Sequence, residues 1–298
     1  MKANVTCLSC ILSKQDKLPR GMRDEEKKAG YFHEVLGVLY RYGQSESAPQ
    51  LAARVDELYT RYFGAREDYG EIKHTYNQLM LKQEEVFEAR IRSAKDPIRA
   101  CIRYVCAGNY IDFSAVEDVN ETMLQTLLDR AEKEEIPEKE YACFLADLEK
   151  AGELVYLTDN CGEIVLDKLF IKILRERYPD LHITVIVRGQ DVLNDATMED
   201  AAEVGLTEVT DCISNGSRTA GTVPEEMSDE ARERLLHADV VISKGQGNFE
   251  SLFGSGVNPY YFFLCKCELF VRRFGLEQYA SVFAKENHIR IQTGEGKN

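Results

Sequence analysis

The chain of 298 residues is short of positive charge: 37 Lys and Arg stand against 51 Asp and Glu, a formal charge of −14. Wrapping a nucleic-acid backbone needs clustered cations that displace counterions, so no nucleic-acid partner is expected. A small anionic ligand stays possible, because a bound metal ion reverses the local potential. Long hydrophobic runs are also missing, and no stretch approaches the ~20 apolar residues of a membrane span. The opening MKANVTCLSCILSKQ lacks a charged region followed by an apolar run of about 7–15 residues and a small-residue cleavage site. These absences lead to the expectation of a cytoplasmic protein with no membrane partner. His-based catalysis is disfavoured: the five histidines lie away from the blocks described below, and HExxH and GxSxG do not occur.

What is present suits a globular protein of one or two domains with a core of normal size. Nine cysteines, an odd number scattered along the chain, read as reduced thiols. Cys7 and Cys10 form a CxxC, and Cys265 and Cys267 a CxC. Four thiolates could make a tetrahedral zinc site if the fold joined the pairs, and packed or idle thiols are the alternative.

The patterning divides the chain into 1–150 and 151–298. The first part is expected to be a helical region. DEEKKAGYFHEVLGVLYRYG spaces Phe32, Leu36, Leu39 and Tyr40 at helical intervals behind an acidic first turn. LAARVDELYTRYFG predicts a second helix, and EIKHTYNQLMLKQEEVFEARIRSA one long third helix that stops before Asp96-Pro97. DPIRACIRYVCAGN predicts another, with Pro97 in its first turn. After Gly152 strands alternate with helices: strands at 154–159, 183–189 and 238–243, helices in EIVLDKLFIKILRERY and MEDAAEVG, and a further strand running into a helix in NPYYFFLCKCELFVRRFG. That spacing predicts parallel pairing. The expected class is α/β, a Rossmann-like, parallel-rich sheet with flanking helices plus an all-helical N-terminal region.

Three blocks place acidic, amide or glycine residues just after these strands: TDNCGEI at 158–164, VRGQDVLNDAT at 187–197 and SKGQGNFE at 243–250. In a parallel sheet such residues gather at one edge, where ligands bind. Asp159 and Asn160 offer hard oxygens of the kind Mg²⁺ or Mn²⁺ prefers, and the helix amino terminus behind them could hold a phosphate oxygen. The plainer reading is a helix cap. Asp195 could add a third oxygen from the neighbouring strand edge, or cap its own helix. Gly245 and Gly247 would let backbone amides approach an anion beside Lys244, although the block is neither a Walker A nor a GxGxxG motif and also suits a plain turn. Lys266, in the apolar run FFLCKCEL, either reaches an anion in the same pocket or snorkels to water.

TDNCGEIVLDK, RGxxVLNDAT, SKGQGNFE and the KC pair at 266–267 together resemble the metal-dependent damage-control phosphatases, the family long called domain of unknown function 89. YN at 76–77, CAGNYIDF at 106–113 and the opening CxxC resemble its smaller prokaryotic branch. The resemblance covers nearly the whole chain. It implies a helical region packed on a Rossmann-like domain and one divalent cation (Mn, Co, Ni or Mg) in the cleft. It also implies hydrolysis of small phosphomonoesters, either sugar phosphates or damaged phosphometabolites.

Carried over by motif, the metal and catalytic positions fall on Asp159, Asn160 and Asp195. Phosphate-side contacts fall on Ser243, Lys244, Gly245, Gln246, Gly247, Asn248 and Lys266, with Glu163 and Arg188 expected to join the substrate contacts. Asn109 and Asp112 are expected to line the cleft from the helical side. Either water or Asp159 itself could be the nucleophile. Two other classes are weighed: an S-adenosylmethionine-dependent carboxyl methyltransferase, disfavoured because the first strand ends in Asp-Asn-Cys-Gly rather than a GxGxG turn, and a non-enzymatic phosphometabolite-binding protein. Oligomeric state is not assigned.

Overall fold

A computed structural model describes residues 1–15, 24–64, 69–109, 126 and 129–291. Asp112 and the tail 292–298 lie outside the described residues. The chain begins with six helices: α1 (Val5–Gln15), α2 (Glu25–Tyr42), α3 (Ala48–Phe63), α4 (Gly70–Leu81), α5 (Glu84–Ser93) and α6 (Pro97–Gly108). Asp24 caps α2 by accepting from the Lys27 N–H at 2.9 Å, and Asp96 caps α6 from the Arg99 N–H at 3.1 Å. The expected long third helix is two helices. The chain turns at Lys82 and Gln83, where the Gln83 N–H donates to the Met80 carbonyl at 3.1 Å. This break lets α4 reach toward the site while α5 continues along the helix that follows the first strand.

After α7 (Glu138–Leu148) the sheet begins, with β1 (Glu153–Leu157), α8 (Ile164–Arg177), β2 (His182–Val187), α9 (Met198–Glu203), β3 (Asp211–Ser214), α10 (Asp229–His237) and β4 (Val240–Lys244). It ends with α11 (Gln246–Leu252), β5 (Tyr260–Leu264), α12 (Glu268–Phe274) and β6 (Ser281–Lys285). The strand order is β3-β2-β1-β4-β5-β6, and the first five are parallel, as the spacing predicts. β3 and the antiparallel edge strand β6 were not anticipated. β3 has four residues, none of them fully buried, and β6 alternates only weakly.

Burial on both faces explains the continuous apolar strands. Leu154 and Tyr156 of β1, Ile183, Val185 and Val187 of β2, and Val240 and Ile242 of β4 point into one core, shared with Tyr76, Met80, Phe87 and Ile102 of the helical part. The alternate residues Val155, Leu157, Ile186 and Val241 face Ala231 and Leu235 of α10. Helices α1 to α3 close a separate cluster around Tyr31, Val35, Leu39, Leu51 and Val55. The sheet order reverses direction between β1 and β4, which opens a crevice at their carboxyl ends.

At the opposite end, the His182 ring joins three strands, bonding Glu153 at 2.8 Å and Asp211 at 3.0 Å. Hydrogen bonds to these two carboxylates raise the imidazole above its usual value. A raised histidine contributes stability that is complete below its unfolded value and is lost as pH rises through the folded one. His182→Gln is therefore expected to lower the unfolding midpoint at pH 5.5 and to have little effect at pH 8.5. The side chain is 38% exposed, so solvent screening keeps the effect small. Thermal melts of the two proteins at both pH values check this.

Candidate active site

Asp159 and Asn160 lie just beyond β1, in the turn that leads into α8. The Asp159 carbonyl accepts from the Ala196 N–H at 2.8 Å, and the Cys161 N–H donates to the Asn194 carbonyl at 2.8 Å. Asn160 and Asp195 pair as an isolated antiparallel bridge. Two of the three sequence blocks are thus stitched together by backbone, and the three expected ligand residues share one place.

The third block enters from β4. Gly245 follows Lys244 with φ +81°, a conformation that L side chains rarely adopt, and a Cβ there would overlap the Asp159 carboxyl group. Glycine is required because the β4 turn lies directly against that carboxylate.

Two amides bridge two carboxylates at the centre. Asn109, at the end of α6, donates from Nδ2 to Asp159 Oδ2 at 2.7 Å and to Glu163 Oε2 at 3.0 Å. Asn160 donates from Nδ2 to the same two oxygens at 2.7 and 3.0 Å. Asn109 is fixed in turn, because its Oδ1 accepts from the Leu264 N–H at 3.2 Å. Behind this group Lys244 Nζ donates to Glu163 Oε1 at 2.8 Å and to Asp167 Oδ1 at 2.9 Å, and all three side chains are 0% exposed. Tyr156 adds its hydroxyl to Asp167 Oδ1 at 2.6 Å. Burial acts to lower the Lys244 ammonium, but Asp167 and Glu163 overcome it and the net shift is upward.

On the other side Arg188 Nε donates to Asp195 Oδ2 at 2.5 Å. The rest of its guanidinium reaches the Gly221 carbonyl at 3.0 Å and Asn248 Oδ1 at 2.9 Å. Asn248 donates to the Thr158 and Lys244 carbonyls at 2.9 and 2.6 Å, tying the ends of β1 and β4 together.

Four carboxylates (Asp159, Glu163, Asp167, Asp195) therefore face two buried cations, Lys244 and Arg188. Burial, then Glu163 and Asp195, push the half-buried Asp159 carboxyl up to about 7, against the pull of Lys266 and Arg188. Burial also raises Asp195, with Arg188 opposing. The cluster carries more negative charge than its own cations offset, which a divalent cation would correct.

Several of the expected substrate contacts are enclosed. Ser243, Lys244 and Asn248 are completely buried and Arg188 nearly so. Lys244, Asn248 and Arg188 bond to framework groups, whereas the Ser243 hydroxyl has no hydrogen-bond partner among the described residues. Gln246 and Gly247 open α11 and are half-buried, and Gln246 Oε1 accepts from the N–H groups of Lys266 and Cys267 at 3.0 and 3.1 Å. Lys266 is half-buried after β5, and its charge acts on Asp159. The backbone expected to cradle phosphate behind Asp159 is partly occupied: the Gly162 N–H donates to Asn77 Oδ1 at 2.7 Å, and the Glu163 N–H to the Cys161 carbonyl at 2.9 Å. Cys7 and Cys267 come near one another, but among the described residues no three His, Cys, Asp or Glu groups form a metal cage.

Sequence reasoning gave no role to Asp167, Tyr156 or Asn77. Asp167 was detectable, since Glu163 and Asp167 are four apart and share one face of α8. Asn77 holds the site turn through Gly162 while donating to Asp200 and Glu203 at 2.9 and 2.7 Å.

A family model described as the damage-control phosphatase ARMT1-like domain matches residues 3–282. The chain belongs to this family. A damage-control phosphatase of Archaeoglobus fulgidus is 29% identical over 286 residues, covering 93% of this chain and 96% of that protein. One of Pyrococcus horikoshii is 26% identical over 289 residues, covering 95% and 97%. The crystal structure of a DUF89 family protein from Pyrococcus horikoshii superposes with a TM-score of 0.80 at 25% identity, over 96% of this chain and 99% of that one. The protein is accordingly a phosphatase.

Two variants probe this construction. Gly245→Ala forces a side chain into the Asp159 carboxylate and is expected to lower phosphatase activity on the order of 10²-fold through misplacement of the reacting geometry, read by phosphate release. Lys244→Met strands two buried carboxylates and is expected to cost about 3–5 kcal/mol of stability, read by urea denaturation.

Proposed function

We propose that this phosphatase hydrolyses phosphomonoesters of sugars or damaged phosphometabolites with one divalent cation held by Asp159, Asn160 and Asp195. The observation that carries the reading is the surplus of carboxylate charge around Asp159, sited at the sheet's switch point. The donor set fits a hard cation. Asp159 Oδ2 takes both amide hydrogens and Asp195 Oδ2 takes Arg188, so the second oxygen of each carboxylate and the Asn160 carbonyl oxygen are the proposed ligands. Two carboxylates and an amide suit Mg²⁺ or Mn²⁺ best by chemistry, with Co²⁺ and Ni²⁺ as further candidates. When bound, the cation supplies Lewis-acid polarisation of the phosphoryl group.

The chain's own residues do the rest. Asn109 and Arg188 hold the two carboxylates from behind, so their free oxygens are oriented before substrate arrives. Lys266 is the proposed partner of the phosphoryl charge, since it already acts on Asp159 and is not enclosed. The turn after β1 carries Asp159 and Asn160 where a methyltransferase of this sheet type needs glycines, so that alternative draws no support from the site.

Metal-stripped protein is expected to release no phosphate from p-nitrophenyl phosphate or a sugar-phosphate panel. Activity should return when Mg²⁺, Mn²⁺, Co²⁺ or Ni²⁺ is added singly. Asp159→Ala should lower the restored rate by on the order of 10²–10³-fold. Full activity in the stripped protein would refute the metal; metal and ligand binding without any turnover would point to a sensor.

A further inference from the structure

The hydrogen bonds around Glu163 have a direction that the ligand set alone does not explain. An ionised carboxylate only accepts, and an ammonium only donates. Lys244 Nζ occupies Glu163 Oε1 at 2.8 Å. Glu163 Oε2 and Asp159 Oδ2 then present two acceptors side by side, and the Asn160 amide can meet both only with its NH₂ group, at 3.0 and 2.7 Å. The amide is thereby turned so that its carbonyl oxygen is the atom left for a cation. Asn109 makes the same pair of bonds but is held independently by the Leu264 N–H. Only Asn160 depends on Glu163 and Asp159 for its orientation.

We propose that Glu163, locked by Lys244, is a positioning residue that sets which atom of the Asn160 amide faces the cation, and is not a substrate contact. The inference rests on the metal reading above. Its chemistry predicts an unusual outcome for a single-atom change. In Glu163→Gln, Lys244 still requires an acceptor and takes the new side chain's carbonyl oxygen. The new NH₂ group then opposes the Asn160 NH₂, donor against donor. Either orientation of the Asn160 amide now carries a clash, NH₂ against NH₂ or carbonyl oxygen against Asp159 Oδ2, so its carbonyl oxygen is no longer held toward the cation. Asn160→Asp fails for the mirror reason: an oxygen replaces the bridging NH₂ and faces Asp159 and Glu163. Combining the two restores a donor-acceptor pair between positions 160 and 163, leaves the contact to Asp159 unrepaired, and keeps the native charge.

The test is Mn²⁺ binding to metal-free protein, followed by calorimetry and by the paramagnetic resonance signal of free Mn²⁺, with unfolding midpoints measured in parallel. Glu163→Gln is expected to weaken Mn²⁺ by about 10–100-fold, the usual scale for a group behind a ligand. Asn160→Asp is expected to weaken it too, whereas ligand charge alone would tighten it. The double variant is expected to recover part of the loss. Native affinity in Glu163→Gln, tighter binding in Asn160→Asp, or a double variant no better than the worse single would each overturn the inference. If Glu163→Gln does not fold, the Asn160→Asp arm decides alone. Asp159→Ala separates the two levels: native Mn²⁺ affinity in that variant would remove the metal site itself and this inference with it.

Discussion

One buried ammonium organises the site. Lys244 closes β4 in a place with no solvent, where an unpaired charge is untenable and a paired one is rigid. Its partners Glu163 and Asp167 lie on the first turn of α8, the helix that follows β1. The pairing therefore clamps the end of β4 to the start of the β1–α8 unit. Asn248 repeats the connection through backbone carbonyls on both strands. The clamp also fixes the turn of Gly245, the glycine that lets the β4 turn meet the Asp159 carboxylate.

Topology then supplies the crevice, and electrostatics gives it a task. Because β1 sits between β2 and β4, its carboxyl end receives residues from both neighbours: Arg188 and Asp195 from one side, Lys244 and Gly245 from the other. Asn109 and Asn77 come from helices packed above, and Lys266 from beyond β5. The buried cations are committed to Asp195, Glu163 and Asp167, so Asp159 has two amides as direct partners and only the more distant charges of Lys266 and Arg188 against the neighbouring carboxylates. That imbalance is what a phosphatase of this family can use, since neither an isolated phosphate ester nor a crowd of carboxylates is stable beside the other without a cation between them.

Much of this was legible in the residues. The apolar runs LVYL, ITVIV and VVIS, separated by helical segments, predicted the parallel sheet, and the acidic, amide and glycine residues after those strands marked the edge where Asp159, Asn160 and Asp195 meet. How deeply each motif residue would be buried was not legible. Whether a strand-end side chain lines the crevice or lies beneath it is decided by the packing above, which takes Ser243, Lys244, Asn248 and Arg188 out of solvent. The split of the long third helix at Lys82 had no proline or glycine to announce it. β3 and β6 were missed because a short strand at the margin of a sheet carries too little alternation to stand out.

The sequence by itself determined the chemistry: the kinds of side chain at the three strand ends, their order along the chain, and the apolar periodicities that fold them into an α/β sheet. These are local properties, set by neighbours a few residues away. The tertiary structure alone decided the pairing among those residues, setting Lys244 against Glu163 and Asp167, Arg188 against Asp195, and the Asn109 and Asn160 amides against Asp159. Burial and pairing both depend on atoms 50 to 155 positions apart in the chain that meet only when the sheet closes.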